Sequence, residues 1–514
     1  MIVIIKTTLT LVRKRSQKVI FEICTFYDLV ILGGVYNNKK KGFELMKKVF
    51  STLMILITWV SVIFPQSSLA IEKDCEVLKK YMQEVSIDCN MAIDEGLDLD
   101  DVIQKIKDDY DSVRFKNIKD KKNQKGIYPK VFAKSIRKVL SKELTYKNLH
   151  MYIKSGDYFD YMFDNQFVFI SQVYFSKNGN EYFVEESNVR SIKKGMKYTG
   201  DEQSLFKVIH NGKELYRFAV FNHYRQKKAK ISIENKIRKV PVKWIPNYVQ
   251  NEEISFKSAE KTIVISITTC RPKDLDKYRK VVSEIRKILE TTDKTVVIDL
   301  RNNTGGQLGI VDNILYSLLL TQNQQNSEYF SKILNNISQN YYELNTQTIR
   351  DRVLVAGNAD KFTRLKMDKN KYVQGYGSSD EIEKVSVAIN NPKYNKNLYV
   401  LINNKTCSAG EVFALFTKKI YENTILIGEN SFGCVKFGDP YVYSLPNSEI
   451  SIGFSATDIS KSVAMISTKN WKGETYGIYP DIWATSEEII DTMIYLTKDE
   501  ELKNVLLSGK IQEK

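Results

Sequence analysis

From residue 261 onward, short apolar strands alternate with amphipathic helices, and this alternation constrains the fold more than any other feature. The apolar runs are TIVISI (262–267), TVVIDL (295–300), NLYVLI (397–402) and TILIGE (424–429). Helical patterns such as DLDKYRKVVSEIRKILE and AGEVFALFTKKIY lie between them. Strands separated by helices pair in parallel through right-handed crossovers. We therefore predict an α/β core, a layered arrangement of sheet and helices, over residues 251–490.

Outside this core, the residue patterns differ from one region of the chain to the next. Residues 71–150 place apolar residues at helical spacing, which predicts an α-helical N-terminal domain. Residues 151–250 carry short runs rich in Phe, Tyr and Val with turns at NGN and NGK, which predicts a β-rich domain. Residues 321–395 are rich in Asn, Gln and Tyr and are interpreted as an insertion, and residues 491–514 as a C-terminal tail.

Residues 1–70 are interpreted as a leader with a signal peptide. A basic start at Met46, an apolar stretch over 53–64 and a small-residue cleavage site ending at Ala70 follow in the order typical of secretion signals. We expect Met46 to be the true start and the protein to be exported, to the periplasm or outside the cell. An uncleaved segment would instead anchor it to the membrane, although the apolar run is shorter than the about 20 residues of a comfortable span.

The net charge and the counts of Cys and His argue against several classes of partner and site. The net charge is +16, but residues 1–70 hold ten Lys and Arg against three Asp and Glu, so +7 of it lies in the leader. The remaining basic residues are interleaved with acidic ones, which argues against a nucleic-acid partner. Six Cys and three His without a CxxC pair predict neither a disulfide framework nor a metal site, and no organic cofactor is implied.

Ser408 is the candidate nucleophile. It follows the strand NLYVLI and opens an apolar-striped helix, so its hydroxyl and nearby backbone N–H groups would face a common point. A serine at this position of a helix is more often only an N-cap. A second element, DLRNNTGG (299–306), ends a buried strand with Gly305 and Gly306, which allow close approach of the backbone but lack the lysine of a phosphate-binding loop.

Together these elements resemble peptidase family S41, the C-terminal-processing or tail-specific proteases. DLRNNTGG, TCSAGE with the trailing IGENSFG, and GIYPD (477–481) match three family motifs in the family's order, over about residues 261–485. The resemblance implies a ClpP/crotonase-like core and a serine protease acting on a peptide or protein substrate. It also implies an oxyanion hole from Ala409 with Gly305 or Gly306, and a PDZ-like middle domain, although no carboxylate-binding glycine loop is evident in 151–250.

The base that activates Ser408 has two candidates. Many family members use a lysine, but Cys434 stands at that position here, and Lys436 lies two residues further on. The tricorn-like branch instead uses a histidine and a carboxylate, and His150 and Glu474 stand in the corresponding places. Imidazole suits general-base chemistry near neutral pH, so we favour Ser408, His150 and Glu474, with Lys436 as the alternative base. A catalytically degenerate peptide-binding protein is the competing function, and another hydrolase such as an esterase would share the same oxyanion chemistry.

Overall fold

A computed structural model describes residues 65–84, 86–117, 129–244, 252–306, 342–344, 372–374, 396–421, 423–458 and 468–507. The leader upstream of residue 65, the helix that the apolar pattern GIVDNILYSLLL (309–320) predicts, and most of the insertion lie outside these residues. The chain divides into two units, one of residues 1–72 with 123–126 and one of residues 73–122 with 127–514. All strands and all candidate site residues belong to the second unit.

Helices α1 to α4 precede the first strand and span Pro65–Glu84, Ile87–Asp94, Leu99–Asn117 and Pro129–Glu143. The later helices are α5 (Leu275–Thr291), α6 (Ala409–Ile420), α7 (Ile489–Thr497) and α8 (Leu502–Val505). A short 3-10 turn covers Glu202–Ser204. Within the described ranges, no helix is both long and apolar enough to span a membrane.

Eighteen strands are described. The first eight are β1 (Tyr152–Ser155), β2 (Tyr158–Tyr161), β3 (Phe167–Asn178), β4 (Glu181–Ser187), β5 (Leu205–His210), β6 (Lys213–Asn222), β7 (Lys228–Ile233) and β8 (Lys236–Pro241). The next five are β9 (Ile254–Ser258), β10 (Thr262–Ile267), β11 (Thr295–Asp299), β12 (Tyr342–Leu344) and β13 (Tyr372–Gln374). The last five are β14 (Leu398–Ile402), β15 (Thr424–Gly428), β16 (Phe437–Ser444), β17 (Ser451–Asp458) and β18 (Ile482–Trp483).

A ten-stranded mixed sheet forms the centre of the fold, in the order β4-β3-β6-β5-β18-β15-β14-β11-β10-β9. The six strands from β5 to β10 in this order pair in parallel, as the strand–helix alternation predicts for those after residue 261. The flanking strands β9, β6, β3 and β4 pair antiparallel. The mixed α/β class is therefore confirmed.

The parallel strands are continuously apolar because both faces of the sheet are covered. Ile263, Ile265 and Ile298 point to a core shared with α5 and α6, whereas the alternate residues Val264 and Val297 point to a core shared with α7 and α8. Side chains alternate across a strand, so such a strand needs apolar residues at every position. Helices α7 and α8 thus continue the core beyond residue 490, where the sequence analysis expects a tail.

The strands of the predicted β-rich region are divided among three sheets. Strands β3 to β6 extend the central sheet through the pairing of β5 with β18, and β7 with β8 forms a separate two-stranded sheet. A further sheet has the order β13-β12-β17-β1-β2, with β16 also paired to β17. The PDZ-like character of this region stays a prediction, as do the domain boundaries.

Candidate active site

Ser408 lies on the sharp turn between β14 and α6. Its backbone is at φ 53° and ψ −123°, a conformation that L-residues other than glycine rarely adopt. Such a residue costs on the order of 1–3 kcal/mol, so the surroundings must hold it in place. The turn projects the serine at the first residues of a helix, where free N–H groups and the helix dipole favour negative charge.

The structure brings His150 to Ser408. The two residues are far apart in sequence, yet His150 Nε2 lies 3.0 Å from Ser408 Oγ. Burial lowers the pKa of His150 to about 4, so the imidazole is neutral near pH 7. In the tautomer that carries its proton on Nδ1, the serine hydroxyl donates to Nε2. The pair has the geometry of a nucleophile with its general base.

The other nitrogen of the imidazole has no partner. His150 Nδ1 is buried and makes no hydrogen bond within the described part of the chain. The backbone N–H of His150 donates to Asn148 Oδ1 at 2.9 Å, and this oxygen also accepts from the Ser455 hydroxyl. The loop that carries the histidine is therefore fixed through its backbone rather than through the ring.

Glu474 lies beside this loop but does not orient the imidazole. Its carboxylate accepts from the backbone N–H groups of Val435 at 3.0 Å and Lys436 at 2.9 Å, and from Leu149 at 3.4 Å. Burial raises the pKa of Glu474 to about 8. The expected hydrogen bond to His150 is absent among the described residues, where the carboxylate accepts only from backbone donors. Glu474 ties the loop before His150 to the segment at 435–436.

Lys436 does not approach the nucleophile. Its Nζ lies 4.8 Å from the ring centroid of Tyr146 and 5.0 Å from that of Phe437. Cys434, at the position of the family lysine, is buried, and its thiol contacts that of Cys407. Burial, followed by the Cys407 thiol, raises the pKa of Cys434. Neither residue reaches Ser408 Oγ as a base in the part of the structure that is described.

The glycine loop after β11 lies directly against the nucleophile. A Cβ at Gly305 would stand 2.7 Å from Ser408 Cβ, and its φ of 80° favours glycine as well. The Gly305 N–H donates to Asn303 Oδ1 at 2.9 Å, so it is not available to an oxyanion. The N–H groups of Gly306 and Ala409 make no hydrogen bond to any group in the described ranges. The candidate oxyanion hole therefore consists of Ala409 and Gly306, while Gly305 provides the close approach.

Glu411 is a site residue that the sequence analysis missed. Its buried carboxylate accepts from the N–H groups of Ser408 (3.0 Å), Gly433 (2.8 Å) and Cys434 (2.9 Å), and from the Ser431 hydroxyl. Burial raises the pKa of this carboxyl group. The spacing Ser408-x-x-Glu411 is that of a capping box and was the available signal. The sequence could not show that two further backbone donors come from a distant loop.

A buried ion pair fixes the first residues of the glycine loop. Arg301 and Asp299 are each 1% exposed, and the guanidinium donates to both carboxylate oxygens at 2.8 and 2.7 Å. Asn303 adds a bond from its Nδ2 to the Ile267 carbonyl at 3.0 Å. Charge-assisted, bidentate contacts of this kind fix geometry. No group of three or more His, Cys, Asp or Glu residues in the described segments could hold a metal ion.

A mixed, largely parallel sheet with a serine on a strained strand-to-helix turn and a histidine at hydrogen-bond distance defines an α/β protein with a hydrolase-like site. Residues 261–483 match the model of peptidase family S41. We therefore assign this part of the chain to peptidase family S41, which implies a peptidase acting on proteins or peptides. The matched region contains Ser408, both glycines and Glu474, but not His150.

Several solved structures are similar to the chain at low identity. Mature CPAF complexed with lactacystin is 12% identical with a TM-score of 0.33, covering 80% of this chain and 94% of its own. The photosystem II D1 C-terminal processing protease is 12% identical at a TM-score of 0.32, covering 81% and 93%. The tricorn protease is 12% identical at 0.31, covering 84% and 35%. No curated protein matches the sequence.

Proposed function

We propose that the protein is an exported serine endopeptidase that cleaves peptide bonds through an acyl-enzyme on Ser408. The distance of 3.0 Å between His150 Nε2 and Ser408 Oγ carries the proposal. His150 removes the hydroxyl proton as Oγ attacks the peptide carbonyl, and the resulting oxyanion lies between the N–H groups of Ala409 and Gly306. The imidazolium then protonates the leaving amine, and water hydrolyses the ester after giving its proton to His150.

The electrostatics support His150 as the base rather than Lys436. A neutral imidazole at hydrogen-bond distance from Ser408 can accept a proton at physiological pH, whereas Lys436 Nζ lies over the rings of Tyr146 and Phe437. Because the pKa of His150 is about 4, proton transfer from the serine to His150 is less favourable than transfer to a histidine with an ordinary pKa. The oxyanion donors and the positive end of α6 must therefore supply much of the stabilisation.

A peptide-binding protein without turnover is the second candidate function. Two observations favour it, namely the buried Cys434 at the position of the family lysine and the unpartnered Nδ1 of His150. In a Ser-His-Asp triad, a carboxylate holds the corresponding nitrogen and stabilises the imidazolium. His150 Nδ1 has no such carboxylate partner among the described residues, which would slow the formation of the imidazolium.

Labelling with a fluorescent serine-reactive phosphonate separates the two functions. The wild-type protein is expected to be labelled, and labelling should be lost in Ser408→Ala and strongly reduced in His150→Ala. Lys436→Ala is the matched control and should be labelled like wild type. A folded wild-type protein that takes up no label would support the binding function, and full labelling of His150→Ala would refute the proposed base.

Export is proposed from the sequence signals ending at Ala70. N-terminal sequencing of the native protein tests it, because cleavage there gives a chain that begins at Ile71. A native N-terminus at Met46 with the protein in the membrane fraction would indicate an uncleaved anchor instead. A native N-terminus at Met1 would refute the proposed start at Met46.

A further inference from the structure

An exposed row of aromatic rings runs along the free edge strand β2. The row consists of Tyr152, Phe159, Tyr161 and Phe432, and each ring centroid lies 5.3 Å from the next. Phe159 is 50% exposed and Tyr161 38% exposed. Contiguous exposed apolar surface of this kind marks a binding site more often than isolated exposed residues do.

The aromatic row ends beside the nucleophile. The backbone N–H of Phe432 donates to the carbonyl of Thr406 at 2.8 Å, two residues before Ser408. Tyr161 packs on Phe432, and burial together with the nearby thiol of Cys407 raises the pKa of Tyr161 to about 12. A peptide whose scissile bond reaches Ser408 Oγ would therefore pass over these rings.

The backbone of β2 is also open to a partner strand. β2 is the last strand of its sheet. Met162 N–H donates to the Met151 carbonyl at 2.8 Å, so in the antiparallel register the N–H and C=O groups of Phe159 and Tyr161 point away from β1. Arg137 Nε donates to the Tyr161 carbonyl at 2.9 Å. The N–H and C=O of Phe159 and the N–H of Tyr161 have no partner among the described residues.

The opposite face of β2 contacts helix α4. Asp160 pairs with Arg137 of α4 at 2.7 Å, and Lys134 Nζ lies 5.7 Å from the ring centroid of Tyr158. The face that carries Phe159 and Tyr161 has no such contacts with α4 and is the more exposed one among the described residues. An extended peptide that adds to the edge of β2 would thus place alternate side chains on the aromatic row.

We propose that the peptide substrate binds as an added strand along β2, and that Phe159, Tyr161 and Phe432 form a subsite for a large apolar or aromatic side chain next to the scissile bond. This inference rests on the proposed function because it takes Ser408 as the reacting group. The shared location of the free edge groups, the exposed rings and the nucleophile identifies the occupant as an extended peptide.

Peptide binding to the full-length Ser408→Ala protein tests the subsite without requiring turnover. The probes are fluorescein-labelled heptapeptides that differ only in a central Phe, Leu, Ala or Glu, measured by fluorescence anisotropy. The Phe peptide is expected to bind about tenfold more tightly than the Ala peptide, and Phe159→Ala should abolish this difference. Tyr224→Ala, which removes a ring that is 73% exposed elsewhere, is the matched control and should preserve it.

A second probe tests the added strand. N-methylation of single backbone amides of the Phe peptide removes one hydrogen-bond donor at a time, and one position should weaken binding about fivefold. Equal binding of Phe, Ala and Glu peptides would overturn the aromatic subsite, and indifference to every N-methyl group would overturn strand addition. Phosphonate labelling of wild type with no side-chain preference would refute this inference alone, whereas aromatic preference without any labelling would refute the proposed catalysis alone.

Discussion

Replacement of Glu411 by Gln removes one of two acceptor oxygens at the point where the nucleophile turn is fixed. In the native protein Oε2 accepts from the N–H groups of Ser408 and Cys434, and Oε1 accepts from Gly433 N–H and the Ser431 hydroxyl. A glutamine side chain has nearly the same shape but offers one oxygen and one NH₂ group. Its NH₂ group must therefore face two of the four donors.

The less costly orientation turns the NH₂ group towards Ser431 and Gly433. The Ser431 hydroxyl can rotate to accept, as it already accepts from Ile478 N–H at 2.6 Å, but the Gly433 N–H is left without an acceptor. A buried, unsatisfied N–H costs about 1–3 kcal/mol. We therefore expect Glu411→Gln to lose about 2 kcal/mol of unfolding free energy. In the opposite orientation the N–H groups of Ser408 and Cys434 would both lose their acceptor, and the strained φ of Ser408 would no longer be held by a hydrogen bond.

Urea unfolding and the rate of phosphonate labelling measure the two effects separately. The expected result is a fall of about 2 kcal/mol in unfolding free energy, with labelling close to the wild-type rate because the N–H of Ser408 keeps its acceptor. The opposite orientation would slow labelling about tenfold, since about 1.4 kcal/mol of lost positioning changes a rate tenfold. Glu487→Gln, at an exposed position, is the control and should change neither value. Wild-type values for both measurements in Glu411→Gln would refute the argument that this carboxylate holds the nucleophile turn.

The remaining predictions concern pH and the glycine loop. Because the pKa of His150 is about 4, the labelling rate should stay near its maximum down to about pH 5 and halve near pH 4; a midpoint near 6.5 would contradict the burial of the imidazole. His150 has a lower pKa folded than unfolded, so it adds about 3 kcal/mol of stability above pH 6.5 that is lost as the pH falls to 4, measured as the difference in the pH dependence of urea unfolding between wild type and His150→Ala. Glu474 has the opposite sign: its folded pKa of about 8 exceeds 4.5, so stability falls as pH rises between these values, and Glu474→Gln should flatten that slope. An unchanged slope in that variant would assign it to other groups. Gly305→Ala should abolish labelling of Ser408, whereas Gly179→Ala, with φ 59° but open space around it, should lose only stability; equal labelling of the two would refute the close contact.

The sequence predicted the parts of the fold and site that depend on local patterns. The buried strands on either side of Ser408 and the glycine turn after β11 follow from runs of apolar residues that end in polar or glycine residues. The continuity of β5 with β18 was not predictable, because it joins two regions through a single parallel pairing of Trp483 with Val208. Short pairings of this kind leave no periodic signal in either strand.

The choice of base shows why side-chain roles were harder to predict than positions. The sequence motifs offered both a histidine and a lysine as the base. Only the structure decides between them, through the backbone segments that the carboxylates of Glu411 and Glu474 bind. Glu411 binds the N–H of Cys434, and Glu474 binds the N–H of Lys436, so the loop passes the serine with its lysine turned onto Tyr146. Glu474 accepts from three backbone N–H groups and makes no hydrogen bond to the imidazole within the described residues. Glu474 thus holds two backbone segments near the nucleophile, at Leu149 before His150 and at Lys436, and a single substitution, Glu474→Gln, perturbs both.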